Sequence, residues 1–83
     1  MENKVKEIMA EVFICNVEDI NVDTKKNDLD NWDSLQHLIF VSQLESEISL
    51  KFTPEEIYEM NGFAEIIKII NLKLKYFIYN IWY

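Results

Sequence analysis

Ser34 is the residue best placed for covalent chemistry. It lies in the run Asp30-Asn31-Trp32-Asp33-Ser34-Leu35, where an acidic, polar stretch gives way to an apolar-periodic segment. A hydroxyl at that point faces the positive end of a helix dipole, where an attached phosphate group is stabilised. The bland alternative is an ordinary helix-capping serine. Nothing else in the chain assembles into a catalytic set. The chain has one cysteine, Cys15, and one histidine, His37. A Cys–His nucleophile needs a base held by an orienting group, and no such group is evident. Cys15 reads instead as a buried structural thiol at the end of the first helix. His37 reads either as a solvated helix-surface histidine or as a group that tunes whatever is attached at Ser34 or a partner contact. One histidine and one cysteine do not make a metal site. Residues 23–34 fail as a calcium loop: Asp28 stands where glycine is needed and Ser34 where a bidentate glutamate belongs. Only weak, non-specific divalent binding to the acidic cluster is left open.

The elements that must position Ser34 follow from apolar spacing. Val5, Ile8, Met9, Val12 and Phe13 recur at helical intervals, so a first helix is predicted from Glu2 to Cys15. A long polar connection follows, Asn16 to Asp33, with Ile20 and Leu29 as its anchors into the core. A connection this long in so small a domain is usually functional. The second helix is predicted from Asp33 or Ser34 to Ile48, with Phe40, Val41, Leu44 and Ile48 facing inward. Asp33 and Gln36 resemble a capping box. Thr53-Pro54-Glu55-Glu56 is a strong helix start, opening a short third helix to Met60. Asn61-Gly62 breaks it. A fourth helix runs from Phe63 to at least Leu74, burying Ile66, Ile67 and Ile70. The fold class is therefore all-α: a four-helix bundle with a long first loop and a short third helix.

Composition supports one small domain. The chain has 83 residues, 49% of them apolar, which supports a core without disulfides. No stretch is long and apolar enough to predict a membrane span. Residues 1–20 lack the marks of a signal peptide. With a single cysteine, these features lead us to expect a cytoplasmic protein. The net charge of −7 is uneven: residues 27–65 hold nine acids and one lysine, whereas residues 66–83 hold three lysines and no acid. An acidic centre repels nucleic acid and steers encounters with basic protein patches.

Taken together, the pattern resembles the acyl carrier protein family over roughly Val5 to Leu74. Asp33-Ser34-Leu35 matches that family's Asp-Ser-Leu attachment motif. Ile20 and Leu29 sit at its loop anchors. Leu44-Glu45-Ser46-Glu47-Ile48 is similar to its Leu-Glu-x-Glu-Phe ending of the second helix, and Lys51-Phe52-Thr53-Pro54-Glu55-Glu56 to its approach to the third. The resemblance implies that Ser34 carries 4′-phosphopantetheine through a phosphodiester, installed from coenzyme A by a phosphopantetheinyl transferase. Asp33 would help present the serine, and Asp33 and Leu35 would complete the cofactor-binding set. Acyl groups would ride as thioesters on the arm, and the chain itself would catalyse nothing. Leu35, Leu38, Ile39, Glu45 and Glu47 would meet acyl-activating or acyl-transferring enzymes bearing basic patches. A core lined by Phe40, Val41, Ile57, Ile66 and Ile67 would open slightly to shelter an acyl chain.

Some positions depart from the fatty-acid type. Gln36 and Ile39 replace its usual acidic residues, Trp32 replaces a small residue, and His37 follows three places after the serine. The sequence therefore resembles discrete carriers of specialised pathways more closely. A carrier for aminoacyl or other cargo, loaded by an adenylating ligase, is the alternative within the family. An unmodified acidic helical adaptor is the alternative outside it. Residues 1–75 are assigned to the bundle and 76–83 to an aromatic tail continuing the last helix. For that tail, packing on the bundle ranks first and a partner or dimer contact second. Membrane contact through Lys68, Lys73 and Lys75 ranks last. A monomer is expected.

Overall fold

A computed structural model describes residues 1–82, with side chains as far as Tyr76. Among the described residues there are four α-helices: α1, Glu2–Phe13; α2, Ser34–Ile48; α3, Pro54–Glu59; and α4, Phe63–Trp82. Two short 3₁₀ turns, Val17–Asp19 and Lys26–Asp28, interrupt the long first connection. The all-α bundle with a long first loop and a short third helix is the architecture of the chain.

Each helix ends for a local reason. α1 stops before Cys15, because Ile14 adopts a left-handed conformation and its amide turns back to the Ala10 carbonyl. α3 has the full reciprocal cap expected of Thr53 and Glu56: Glu56 N–H donates to Thr53 Oγ1 at 3.2 Å, and Thr53 N–H to Glu56 Oε1 at 2.8 Å. Lys73 from α4 donates to the same Glu56 oxygen at 2.9 Å, which pins α3 to α4. α1 packs along α2, and α3 lies on α4.

The core is built from Val5, Ile8, Met9 and Phe13 of α1, Phe40, Val41 and Leu44 of α2, and Phe63, Ile66 and Ile70 of α4. Phe52 and Met60 flank α3 and close the core from that side. Ile20 is fully buried and Leu29 packs partly against the core, so both loop anchors hold the first connection down.

Three further ties fix that connection. Asn31 donates its side-chain amide to the Phe13 carbonyl at 3.1 Å, satisfying an orphan acceptor at the end of α1. Lys26 N–H donates to Asn61 O at 2.8 Å, and Phe63 N–H donates to Thr24 O at 3.0 Å. These bonds flank an isolated antiparallel bridge between Lys25 and Gly62. Gly62 is required there for close approach: a Cβ would stand 2.8 Å from the Thr24 carbonyl oxygen. Asn61-Gly62 thus separates α3 from α4 and also docks the first loop.

Helix α4 passes residue 75 without a break. The side chains of residues 77–83, and with them the expected packing of the aromatic tail on the bundle, lie outside the described residues. Tyr76 is exposed. Among the described residues no helix is long and apolar enough to cross a membrane.

Candidate functional site

Ser34 is the first residue of α2, and its side chain is exposed. The helix cap is the residue before it. Asp33 Oδ1 accepts from Gln36 N–H at 2.8 Å, so half of the expected capping box is present and Ser34 is not the cap. The Ser34 and Leu35 amides belong to the first turn and have no intrahelical acceptor. An exposed hydroxyl beside two such donors, on a 15-residue helix, is suited to holding a phosphodiester.

The serine stands on a buried pedestal. Trp32, two residues earlier, is 3% exposed and stacks on Phe13 with ring centroids 4.7 Å apart. Its indole Nε1–H donates to His37 Nδ1 at 2.9 Å. The other ring nitrogen of His37, Nε2, lies 2.8 Å from the Ile57 carbonyl oxygen. An indole N–H only donates and a carbonyl only accepts. The imidazole must therefore be neutral, accepting at Nδ1 and donating at Nε2. This bridge joins the loop, α2 and α3 one turn below Ser34. The expectation of a solvated His37 is thus corrected: its side chain is buried, because position 37 shares the inward face of α2 with Phe40, Val41 and Leu44.

Burial pushes the His37 pKa below the ordinary value of 6.5, and the nearby Lys26 ammonium adds to this; the bond to the Ile57 carbonyl opposes it. The unfolded chain therefore binds a proton near pH 6.5 that the folded chain binds only at lower pH. Stability is expected to be fully present above pH 6.5 and to fall as the pH drops from there towards the folded pKa. One proton sets a limit of about 1.4 kcal/mol per pH unit. Glu47, Glu56 and Glu65 have pKa values lowered from 4.5, so their contributions disappear only in more acidic solution. His37 is the only histidine, which assigns to it the loss that begins as the pH falls below 6.5. Urea titrations at half-unit steps should show this slope in the wild type and lose it in His37→Gln.

Beside Ser34 and His37 an open groove of about 650 Å³ runs between α2 and α3, bounded by Lys26, Leu38, Pro54, Ile57, Tyr58 and Asn61. Leu35, Leu38 and Ile39 are 66%, 57% and 43% exposed, forming an apolar patch that begins at the serine. The two acids of the expected partner surface are occupied within the chain. Glu45 Oε2 accepts from Phe52 N–H at 2.9 Å, and Glu47 pairs with Lys4 at 3.1 Å and with Gln43. Cys15 lies beyond the end of α1 and is half-buried. Burial and the neighbouring Asp19 raise its thiol pKa, which disfavours the nucleophilic thiolate. Among the described residues no group of three or more His, Cys, Asp or Glu side chains is arranged to hold a metal. Trp32, Lys26 and Tyr58 were not anticipated as parts of the site. The only sequence signal for the bridge is His37 itself, which falls on the 37, 40, 41, 44, 48 stripe.

The family defined by the phosphopantetheine attachment site matches residues 3–70. The chain belongs to that family. It is a carrier protein rather than an enzyme, and 4′-phosphopantetheine is its covalently held cofactor. Among solved structures it is similar to the holo acyl carrier protein of Geobacter metallireducens, determined by NMR in solution. Identity is 25% and the TM-score 0.80, with 93% of this chain and 88% of that one covered. No curated protein matches the chain. Family membership implies interaction with a phosphopantetheinyl transferase and with enzymes that handle the carried group.

Proposed function

We propose that Ser34 is the attachment residue and that the chain shuttles acyl intermediates between partner enzymes. The observation that carries this reading is the exposed Ser34 hydroxyl on the first turn of α2, with Asp33 taking over the capping role. Freed from capping, the serine oxygen is available for a phosphodiester. When bound, phosphopantetheine supplies a terminal thiol that holds cargo as a thioester. Asp33 fixes the first turn, and the Ser34 and Leu35 amides would hold the phosphate. Lys26 lines the same groove and offers a cation.

The exposed patch of Leu35, Leu38 and Ile39 is the surface for the transferase and for acyl-activating or acyl-transferring enzymes. Basic patches on those partners would be drawn by Asp30 and Asp33, which are exposed. Glu45 and Glu47 join the surface to the extent that their internal bonds exchange for partner ones. Such encounters are fast and salt-sensitive, as a shuttle requires. The chain works as a cytoplasmic monomer.

Intact mass before and after incubation with coenzyme A, magnesium and a broad-specificity transferase tests this. A gain of one phosphopantetheine, mapped to the peptide containing Ser34, is the expected result. No gain from a folded sample with two transferases would leave the unmodified adaptor as the reading, and attachment elsewhere would overturn Ser34 as the attachment residue.

A further inference from the structure

We propose that the Trp32–His37–Ile57 bridge is a lock that keeps cargo outside the bundle, in the groove beside Ser34. Cargo selection would then favour short acyl groups bearing a polar or anionic function. This inference rests on the reading of Ser34 as the arm's attachment point.

The argument starts from what a long alkyl chain would have to displace. The groove beside Ser34 opens between α2 and α3, and the His37–Ile57 bond of the bridge lies across that seam. Both of its hydrogen bonds are short, 2.9 and 2.8 Å, and its side chains are buried. Parting the helices would break the His37 Nε2–H bond to the Ile57 carbonyl, stranding that donor and leaving the carbonyl only the longer Met60 N–H at 3.3 Å, and polar groups inside the fold resist losing a partner. Behind the bridge the space is filled by rings. Phe13 lies 4.7 Å from Trp32 and 5.4 Å from Phe40, and His37 lies 6.5 Å from Phe40. Phe40 and Ile66 are fully buried. The expected opening of a core lined by Phe40, Val41, Ile57, Ile66 and Ile67 therefore requires dismantling a bonded, stacked unit.

The groove outside the lock offers different chemistry. Lys26 supplies an ammonium, Tyr58 a phenol and Asn61 an amide, beside the apolar walls of Leu38, Pro54 and Ile57. Lys26 lines this groove together with His37, which places a positive charge at its wall. A short cargo with a carboxylate or hydroxyl finds partners there. A bare alkyl chain finds only half a wall and water.

The test uses the full chain loaded enzymatically from octanoyl- or succinyl-coenzyme A, with loading confirmed by mass before anything else is measured. A failure to load would count against Ser34 as the attachment point. Cargo placement is read separately, by thioester cleavage with hydroxylamine and by amide NMR shifts. The octanoyl thioester on the wild type should react within twofold of free octanoyl-pantetheine, with no shifts at Phe13, Phe40 or Ile66. The succinyl form should shift Lys26, Tyr58 and Asn61. Trp32→Phe removes the indole donor while keeping a ring, and should slow octanoyl cleavage at least fivefold as the core becomes reachable. Fivefold protection in the wild type, or core shifts on octanoyl loading, would overturn the lock. Equal exposure of octanoyl in wild type and a folded Trp32→Phe would overturn the bridge as its cause. A succinyl form that leaves Lys26, Tyr58 and Asn61 unmoved would overturn the cargo class.

Discussion

Ser34→Ala is expected to lose phosphopantetheine loading completely while leaving the fold intact. The loss follows from chemistry: alanine has no oxygen to form the phosphodiester. The intact fold follows from position. Ser34 is exposed, and Asp33 supplies the oxygen that caps α2 through Gln36 N–H at 2.8 Å. Had Ser34 been the cap, its removal would have cost about 1 kcal/mol. As a first-turn residue it is replaced by a better helix former, so stability should change by no more than about 0.5 kcal/mol. Asp33→Ala provides the contrast. It removes the cap but keeps the hydroxyl, so it should lose about 1 kcal/mol of stability and still gain the mass, more slowly. The pair separates attachment from folding, which a single variant would confuse. A mass gain that persisted in Ser34→Ala would move the attachment to another hydroxyl, with Ser42, Ser46 and Ser49 the next to test.

Most of the bundle is written in helical spacing, and the spacing reads well where it is long. Of the stripe Val5, Ile8, Met9, Val12 and Phe13, all are buried but Val12, which packs partly against the core. The start at Thr53-Pro54 was legible because a reciprocal cap needs two residue types three apart, and both are present. Two features were hidden for different reasons. Apolar spacing carries α1 on to Cys15, and nothing in the sequence marks Ile14 as the residue that turns left-handed and ends it. Trp32 sits in a loop, where no periodicity distinguishes a buried ring from an exposed one. It is held by a bond from its backbone N–H to the Leu29 carbonyl at 3.1 Å and by stacking on a helix far away in sequence. His37 was legible in part. Its place on the inward stripe of α2 was available, but a titratable side chain reads as surface until a donor and an acceptor are found to flank it. Those partners, Trp32 and Ile57, come from two other segments, and only the folded chain brings them together.

Trp32→Ala is expected to be the most destabilising single change near the site. The ring is 3% exposed and stacks nearly parallel to Phe13, with 16° between the planes. Truncating a buried tryptophan costs about 3–5 kcal/mol through lost transfer energy and the cavity left behind. Here the loss also strands His37 Nδ1, which has no other donor among the described residues. Domains of this kind have roughly 5–15 kcal/mol in all, so the variant should lose a large share of its stability. Trp32→Phe keeps a ring against Phe13 and loses chiefly the indole bond, a change of about 1–3 kcal/mol. Urea denaturation of both, with the wild type alongside, checks the order. A loss below about 1 kcal/mol for alanine would mean that the pedestal repacks without its ring. The consequence for function follows from distance along the chain. Ser34 is two residues away, and its first turn is aimed by the segment that Trp32 anchors. Loading of the alanine variant should therefore slow even under conditions where it remains folded, although the hydroxyl and the Asp33 cap are both unchanged. That outcome would show that presentation of the serine depends on the buried ring beneath it as well as on the motif around it.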